Sequence, residues 1–212
     1  DVVLSRGLGD VYKRQVPTMA AEILGEAKKV GAKLESIRLI DTGGAARPAD
    51  QAREMAESIP NVLTGTSYGM TETNALGIAI RGKEYLENPE VTGRLIAPLA
   101  EMRIVDEFDK DVEIGDVGEL VLKSAANMRC YLNKDAETSE VLKDGWLYTG
   151  DLAKIDKNEL ITLVDRKKNI IIRGGENISA QEVQTVILEH PDVIEAAIFA
   201  LPNERLGEIV GA

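Results

Sequence analysis

Cysteine and histidine are almost missing from this chain of 212 residues, which holds one of each, Cys130 and His190. A lone cysteine closes no internal disulfide, and no Cys/His cluster is available to hold zinc, so a reducing, cytoplasmic location is expected. Positive charge is also short: 25 Lys and Arg stand against 36 Asp and Glu, a net charge of -11. That balance argues against unaided binding to nucleic acid or to an anionic membrane, either of which needs a basic face. No apolar run approaches the ~20 residues that span a bilayer, and no signal-peptide pattern opens the chain. Repeats and low-complexity segments are lacking as well. What remains, 44% hydrophobic and 29% charged residues, is the composition of a globular protein of one or two domains.

The chain opens on Asp1 rather than Met and stops in the apolar run Glu208–Ala212, from which we expect a piece of a longer protein. Residues 1–15 show no steady period, and Asp10 to Gln15 reads like a translated sequencing-adapter remnant. We expect a non-native leader there, standing outside the fold.

From Thr18 to Val30, Met19, Ile23, Leu24, Ala27 and Val30 fall at helical spacing, with Thr18 as N-cap and Gly31 as stop. A strand is expected over Leu34–Ile40, ending in Gly43-Gly44-Ala45, and a second helix from Pro48. In α/β sheets ligands settle where such glycine turns follow strands, although a plain turn would read the same. A third strand, Asn61–Thr64, leads into Gly65-Thr66-Ser67-Tyr68-Gly69-Met70-Thr71-Glu72-Thr73, the densest polar stretch. Its glycines allow close backbone approach, Tyr68 offers a ring, Thr71 a hydroxyl, and Glu72 hard oxygens suited to Mg²⁺. A solvated loop whose Glu72 caps a helix would look alike.

Beyond Pro89 short strands dominate: Glu101–Asp106, Gly118–Lys123, Trp146–Tyr148, Leu152–Asp156 and Leu160–Val164, with one helix over Asp135–Leu142. The acidic run from Asp106 to Asp116 reads as a solvated face. Asp151, beside Gly150 at a strand end, could accept two hydrogen bonds from a diol or simply stabilise its turn. Asp165 to Lys168 form a charged joint, followed by an apolar run, Ile170–Ile172, then Gly174-Gly175 and the capping-box spacing Ser179 to Glu182. The helix from Ala180 to Glu189 should carry Val183, Val186 and Ile187 inward, and Val193–Ala200 reads as a buried strand. His190 is expected to act as a cap rather than a catalyst.

The order of these motifs, Gly-Gly-Ala, Tyr-Gly-Met-Thr-Glu, Gly-Trp-Leu-Tyr-Thr-Gly-Asp-Leu, Asp-Arg-Lys-Lys-Asn and Gly-Gly-Glu-Asn-Ile, resembles the adenylate-forming, AMP-binding superfamily. That superfamily includes acyl-CoA synthetases, peptide-synthetase adenylation domains and beetle luciferases. The resemblance runs from Val16 to Ala212. It implies an α/β fold with a β-rich subdomain: residues 16–167 as the C-terminal part of a large domain, α/β to about 98 and β-rich from about 99. Residues 168–212 would be the hinge and a truncated small C-terminal domain.

The implied reaction is ATP-dependent activation of a carboxylic acid to an acyl-AMP, then transfer to coenzyme A. By match to the motifs, Gly44 and Ala45 would line the adenine pocket, Tyr68 and Gly69 flank base and acyl group, and Thr71 touch phosphate. Glu72 would hold Mg²⁺, Asp151 the ribose hydroxyls, and Arg166 the ribose from the joint side. Lys168 would be the hinge pivot, and Gly174 and Gly175 would make room for a pantetheine arm. The Gly-Gly-Glu-Asn form favours acyl-CoA synthetases over peptide-synthetase domains, and the resemblance as a whole is greatest to the fatty-acyl, medium- to long-chain members; carrier-protein loading and a non-catalytic nucleotide-binding remnant are the alternatives. Cys130-Tyr131 departs from the common Gly-Tyr. The family's upstream phosphate loop and its C-terminal lysine are absent, so this stretch alone is not expected to complete adenylation.

Overall fold

The computed structural model describes residues 12–15, 17–43, 49–75, 77–188, 190, 192–193 and 195–212. Three sheets follow one another along the chain. The first is built from β1 (Tyr12–Gln15), β2 (Leu39–Gly43), β3 (Leu63–Tyr68), β4 (Ile78–Arg81) and β5 (Arg94–Leu95), with helices α1 (Pro17–Val30), α2 (Ala49–Ser58) and α3 (Gly82–Glu87) between them. Strands β1 to β3 are parallel and β3 to β5 antiparallel. Tyr12–Gln15, set aside at sequence level with the leader, pair with Leu39–Thr42 as an edge strand. A parallel β-α-β unit needs that strand before α1, and the aperiodic sequence hid it.

Helix α1 ends as its glycine foretold. Gly31 takes φ +64°, and the Ala32 and Gly31 N–H groups reach back to the carbonyls of Ala27 (2.9 Å) and Lys28 (3.4 Å), the paired bonds of a Schellman stop. Its inner face buries Ala20 and Leu24 against Ile37, Ile40, Met55 and Ile59, whereas Met19 and Val30 stay exposed. Pro48, the expected start of the second helix, lies outside the described residues.

The second sheet is ordered β10-β9-β7-β6, from β6 (Ala100–Val105), β7 (Gly118–Ser124), β9 (Trp146–Ile155) and β10 (Ile161–Arg166). Helix α4 (Asp135–Val141) and the short β8 (Leu142–Lys143) precede β9. Ile78 of the first sheet packs with Ile104, Leu120, Leu122, Ala153 and Ile161 of the second, so one core joins the two. The third sheet, β12-β11-β14-β13, comprises β11 (Ile170–Arg173), β12 (Glu176–Ser179), β13 (Phe199–Asn203) and β14 (Gly207–Gly211), with α5 (Ala180–Leu188) after β12.

Four sequence-level boundaries shift. The strand expected at 34–40 begins only at Leu39, because a turn closed by Ile37 N–H on the Leu34 carbonyl (3.1 Å) occupies its start. The strand expected at 61–64 runs instead from Leu63 to Tyr68, through residues that read as polar loop, because flanking β2 and β4 satisfy its backbone. Trp146–Tyr148 and Leu152–Asp156 are one continuous strand. The buried strand expected over 193–200 is instead an edge strand from Phe199, which leaves Phe199 and Leu201 exposed, and Val186 of α5 also faces outward.

Candidate active site

Strand β9 does not run straight past its neighbours. Glu119 pairs with Leu152 and Val121 with Tyr148, so Thr149-Gly150-Asp151 contains more residues than the facing strand and bulges from the ladder, with Gly150 at φ +72°. On the other side β10 carries an extra residue between Leu163 and Asp165. Both irregularities fall at the same end of the sheet, where Asp151 faces Arg166. Arg166 Nε lies 3.5 Å from Asp151 Oδ1, and the Asp151 side chain retains 13% of its exposure.

Tyr68, the last residue of β3, reaches across from the first sheet and donates its hydroxyl to Asp151 Oδ2 at 2.7 Å. Burial, then the hydrogen bond to Asp151, hold the Tyr68 phenol well above the ordinary tyrosine value, with the Arg166 charge opposing. It therefore remains a donor at neutral pH. Three elements, β3, β9 and β10, thus converge on one carboxylate. Glu119 steadies the same corner: its Oε1 accepts the Gly150 N–H (3.1 Å) and its Oε2 accepts from Lys167 Nζ (2.9 Å). Sequence reasoning passed over Glu119 and Lys167, and only the alternation of β7, which puts Glu119 on the face opposite Leu120, hinted at the first.

Downstream of Tyr68 the chain doubles back. A Cβ on Gly69 would sit 2.6 Å from the carbonyl carbon and oxygen of Ala75, so the missing side chain here admits Ala75 rather than a ligand. Inside that loop a 3-10 turn spans Thr71–Thr73. Thr71 is exposed; Thr73 is fully buried and ties the turn through two 3.1 Å bonds to the Met70 N–H and carbonyl. Glu72 is half-buried. Its Oε1 accepts from the Tyr131 hydroxyl at 2.7 Å and its carbonyl accepts the Met128 N–H at 2.6 Å. The bond to Glu72, then burial and the carboxylate charge, push the Tyr131 phenol up to about 12.

The joint after β10 is a 3-10 turn, Lys167–Asn169, with Lys168 exposed. Asp165, 6% exposed, anchors it: its Oδ1 accepts from the Arg166 N–H (2.6 Å) and Asn169 Nδ2 (3.3 Å), and its Oδ2 from Ser179 Oγ (2.6 Å) and the Gln181 N–H (3.0 Å). Ser179 Oγ in turn accepts the Glu182 N–H at 3.1 Å, the N-cap contact the sequence anticipated. Gly174 and Gly175, at φ +61° and +92°, form the two-residue turn of the β11–β12 hairpin, where only residues tolerant of positive φ fit. The Gly174 N–H donates to the Leu206 carbonyl at 2.8 Å, and Gly175 faces open space. Gly44 and Ala45 lie outside the described residues.

An ionised carboxylate offers about four acceptor positions over two oxygens. With Tyr68 and Arg166 each using one, Asp151 keeps room for a pair of hydroxyl donors. Glu72 offers hard carboxylate oxygens of the kind that suit Mg²⁺ carried by a protein oxygen plus phosphates. A depression of about 370 Å³ lies elsewhere, lined by Leu24, Lys28, Leu34 and Pro60.

The model of the AMP-binding enzyme family matches residues 14–132. The chain belongs to that family. Among curated relatives it is 30% identical over 201 residues to 4-coumarate–CoA ligase-like 2 of Arabidopsis thaliana, covering 93% of this chain and 35% of that protein. It is 33% identical over 197 residues to a long-chain-fatty-acid–CoA ligase of Yersinia pestis, covering 92% and 34%. The o-succinylbenzoate CoA synthetase of Bacillus subtilis, solved with its acyl-adenylate intermediate, superposes with a TM-score of 0.84 at 30% identity over 94% of this chain and 40% of that one. The same synthetase solved with ATP and magnesium gives 0.82. The chain therefore spans little more than a third of the curated relatives' length, and its mixed α/β architecture of several sheets is that of the adenylate-forming enzymes. Among the described residues no helix is long and apolar enough to cross a membrane.

Proposed function

We propose that the full-length protein carrying this chain is an ATP-dependent acid–CoA ligase. The carboxylate oxygen of the acid bonds to the α-phosphorus of ATP as the bond to pyrophosphate breaks. The sulfur of coenzyme A then bonds to the acyl carbon as the bond to AMP breaks. The observation that carries this reading is the convergence of Tyr68, Asp151 and Arg166 from three separate elements. A carboxylate with spare acceptor capacity suits the two ribose hydroxyls, and the neighbouring guanidinium suits the ribose and its phosphate.

Attack between two anions needs positive charge before it needs a base. Magnesium, when bound, neutralises phosphate charge, with Glu72 as its protein ligand. Thr71, exposed beside Glu72, presents its hydroxyl to phosphate, Gly44 and Ala45 line the adenine pocket, and Tyr68 flanks base and acyl group. Lys168 is the pivot of the small C-terminal unit, which brings Gly174 and Gly175 towards coenzyme A for the second step. The acid is an apolar carboxylate, with a fatty acid as the leading candidate, and the enzyme works in the cytoplasm.

ATP–pyrophosphate exchange on the full-length protein, acid by acid across fatty and aryl series, tests this. Exchange with a fatty acid, and acyl-CoA on adding coenzyme A, is the expected result. Exchange without acyl-CoA would move the reading to carrier-protein loading. ATP binding without exchange for any acid would end the ligase reading in favour of a nucleotide-binding remnant.

A further inference from the structure

Three consecutive residues, Cys130, Tyr131 and Leu132, make an unexpected choice of direction. Leu132 is 83% exposed and Cys130 is exposed, while the polar phenol between them turns inward to Glu72. Hydrophobicity alone would bury the leucine, so a specific contact sets the orientation.

That contact is built from both sides. The Met128 N–H holds the Glu72 carbonyl, so the 128–131 segment grips Glu72 by backbone and side chain together. Tyr131 is itself fixed by its N–H, donated to Thr138 Oγ1 at 3.0 Å, while the same hydroxyl donates to the Lys134 carbonyl at 2.7 Å. One hydroxyl in the middle of α4 thereby sets the Tyr131 backbone, and the phenol sets the carboxylate. The chain of contacts runs from Thr138 to Tyr131 to Glu72.

We infer that Tyr131 is the positioning residue for Glu72, committing Oε1 to the phenol and presenting Oε2 to a divalent cation as a single, oriented ligand. This rests on the reading of Glu72 as the magnesium ligand. Groups that orient metal-binding side chains in this way typically change metal affinity by about 10–100-fold when removed. A carboxylate left to rotate would lose orientation, not charge, so affinity falls while the nucleotide pocket stays intact.

The test uses Mn²⁺ as the probe, titrated into the full-length protein with saturating ATP and no acid, with free Mn²⁺ read by electron paramagnetic resonance. Tyr131→Phe is expected to weaken Mn²⁺ binding about tenfold with metal-free ATP affinity unchanged, and Thr138→Val about threefold in the same direction. Glu72→Gln should weaken it by more than either. If Tyr131→Phe binds Mn²⁺ like the parent while Glu72→Gln does not, the inference is overturned and the ligase reading stands. If Tyr131→Phe also loses ATP, or does not fold, Thr138→Val decides, and its parent-like Mn²⁺ affinity would overturn the inference. If Glu72→Gln itself leaves Mn²⁺ affinity intact, the assignment of Glu72 as ligand falls first.

Discussion

The Tyr68 hydroxyl and the Asp151 carboxylate meet at 2.7 Å although 83 residues separate them, the one at the end of β3 in the first sheet and the other in the bulge within β9 of the second. A hydrogen bond to a charged acceptor contributes about 1.5–3 kcal/mol. Tyr68→Phe keeps the ring and removes the donor, and should weaken AMP binding to the full-length protein about tenfold by calorimetry. Asp151→Ala removes the proposed ribose acceptors and the Arg166 partner at once, and should cost about a hundredfold or more. Unchanged affinity in Tyr68→Phe would mean that the bond only packs the sheets together.

Asp165 accepts four hydrogen bonds while nearly buried. Burial alone would raise its pKa, but the bonds from Gln181, Ser179, Arg166 and Asn169 outweigh that and hold the carboxyl below its ordinary value of 3.8. A depressed folded-state value stabilises the fold above 3.8, and that contribution is lost as pH falls through the folded value. Asp165→Ala should lose about 2–4 kcal/mol in urea unfolding at neutral pH, with the gap from the parent closing in strong acid. A gap that persists undiminished at acid pH would show that shape, not charge, carries the effect.

Gly69→Ala places a methyl group against the Ala75 carbonyl at 2.6 Å. The neck of the loop must open, so unfolding should become easier by about 1–3 kcal/mol, read as a lower Tm. A Tm equal to the parent's would mean the loop shifts freely.

Lys168→Pro stiffens the exposed 3-10 turn between the second and third sheets. Adenylate formation should stay within about threefold of the parent, whereas acyl-CoA formation should fall about tenfold or more. Equal losses in both steps would count against a pivot at this residue.

Some of the local geometry was legible because neighbouring residues set it. Asp151 announces itself by the Gly150 that lets it bulge, and the Ser179–Glu182 spacing marks a real helix start. What could not be read is long-range: nothing near Glu72 in the sequence names Tyr131 as its partner, 59 residues away, and Glu119 looks like any outward strand residue. Strand boundaries slipped where pairing partners overrode composition, as in the polar end of β3. Asp165 reads as part of a charged joint, yet four donors, from the joint itself and from the start of α5, make it internal.

Neighbouring residues on β10 face opposite clients: Arg166 turns to Asp151, and Asp165 to the start of α5. Anyone grafting a foreign C-terminal unit onto this scaffold must therefore transplant more than a seam of matching shape. The donor's counterpart of Ser179 has to present a hydroxyl to Asp165. Otherwise the junction leaves an orphaned carboxylate one peptide bond from the guanidinium.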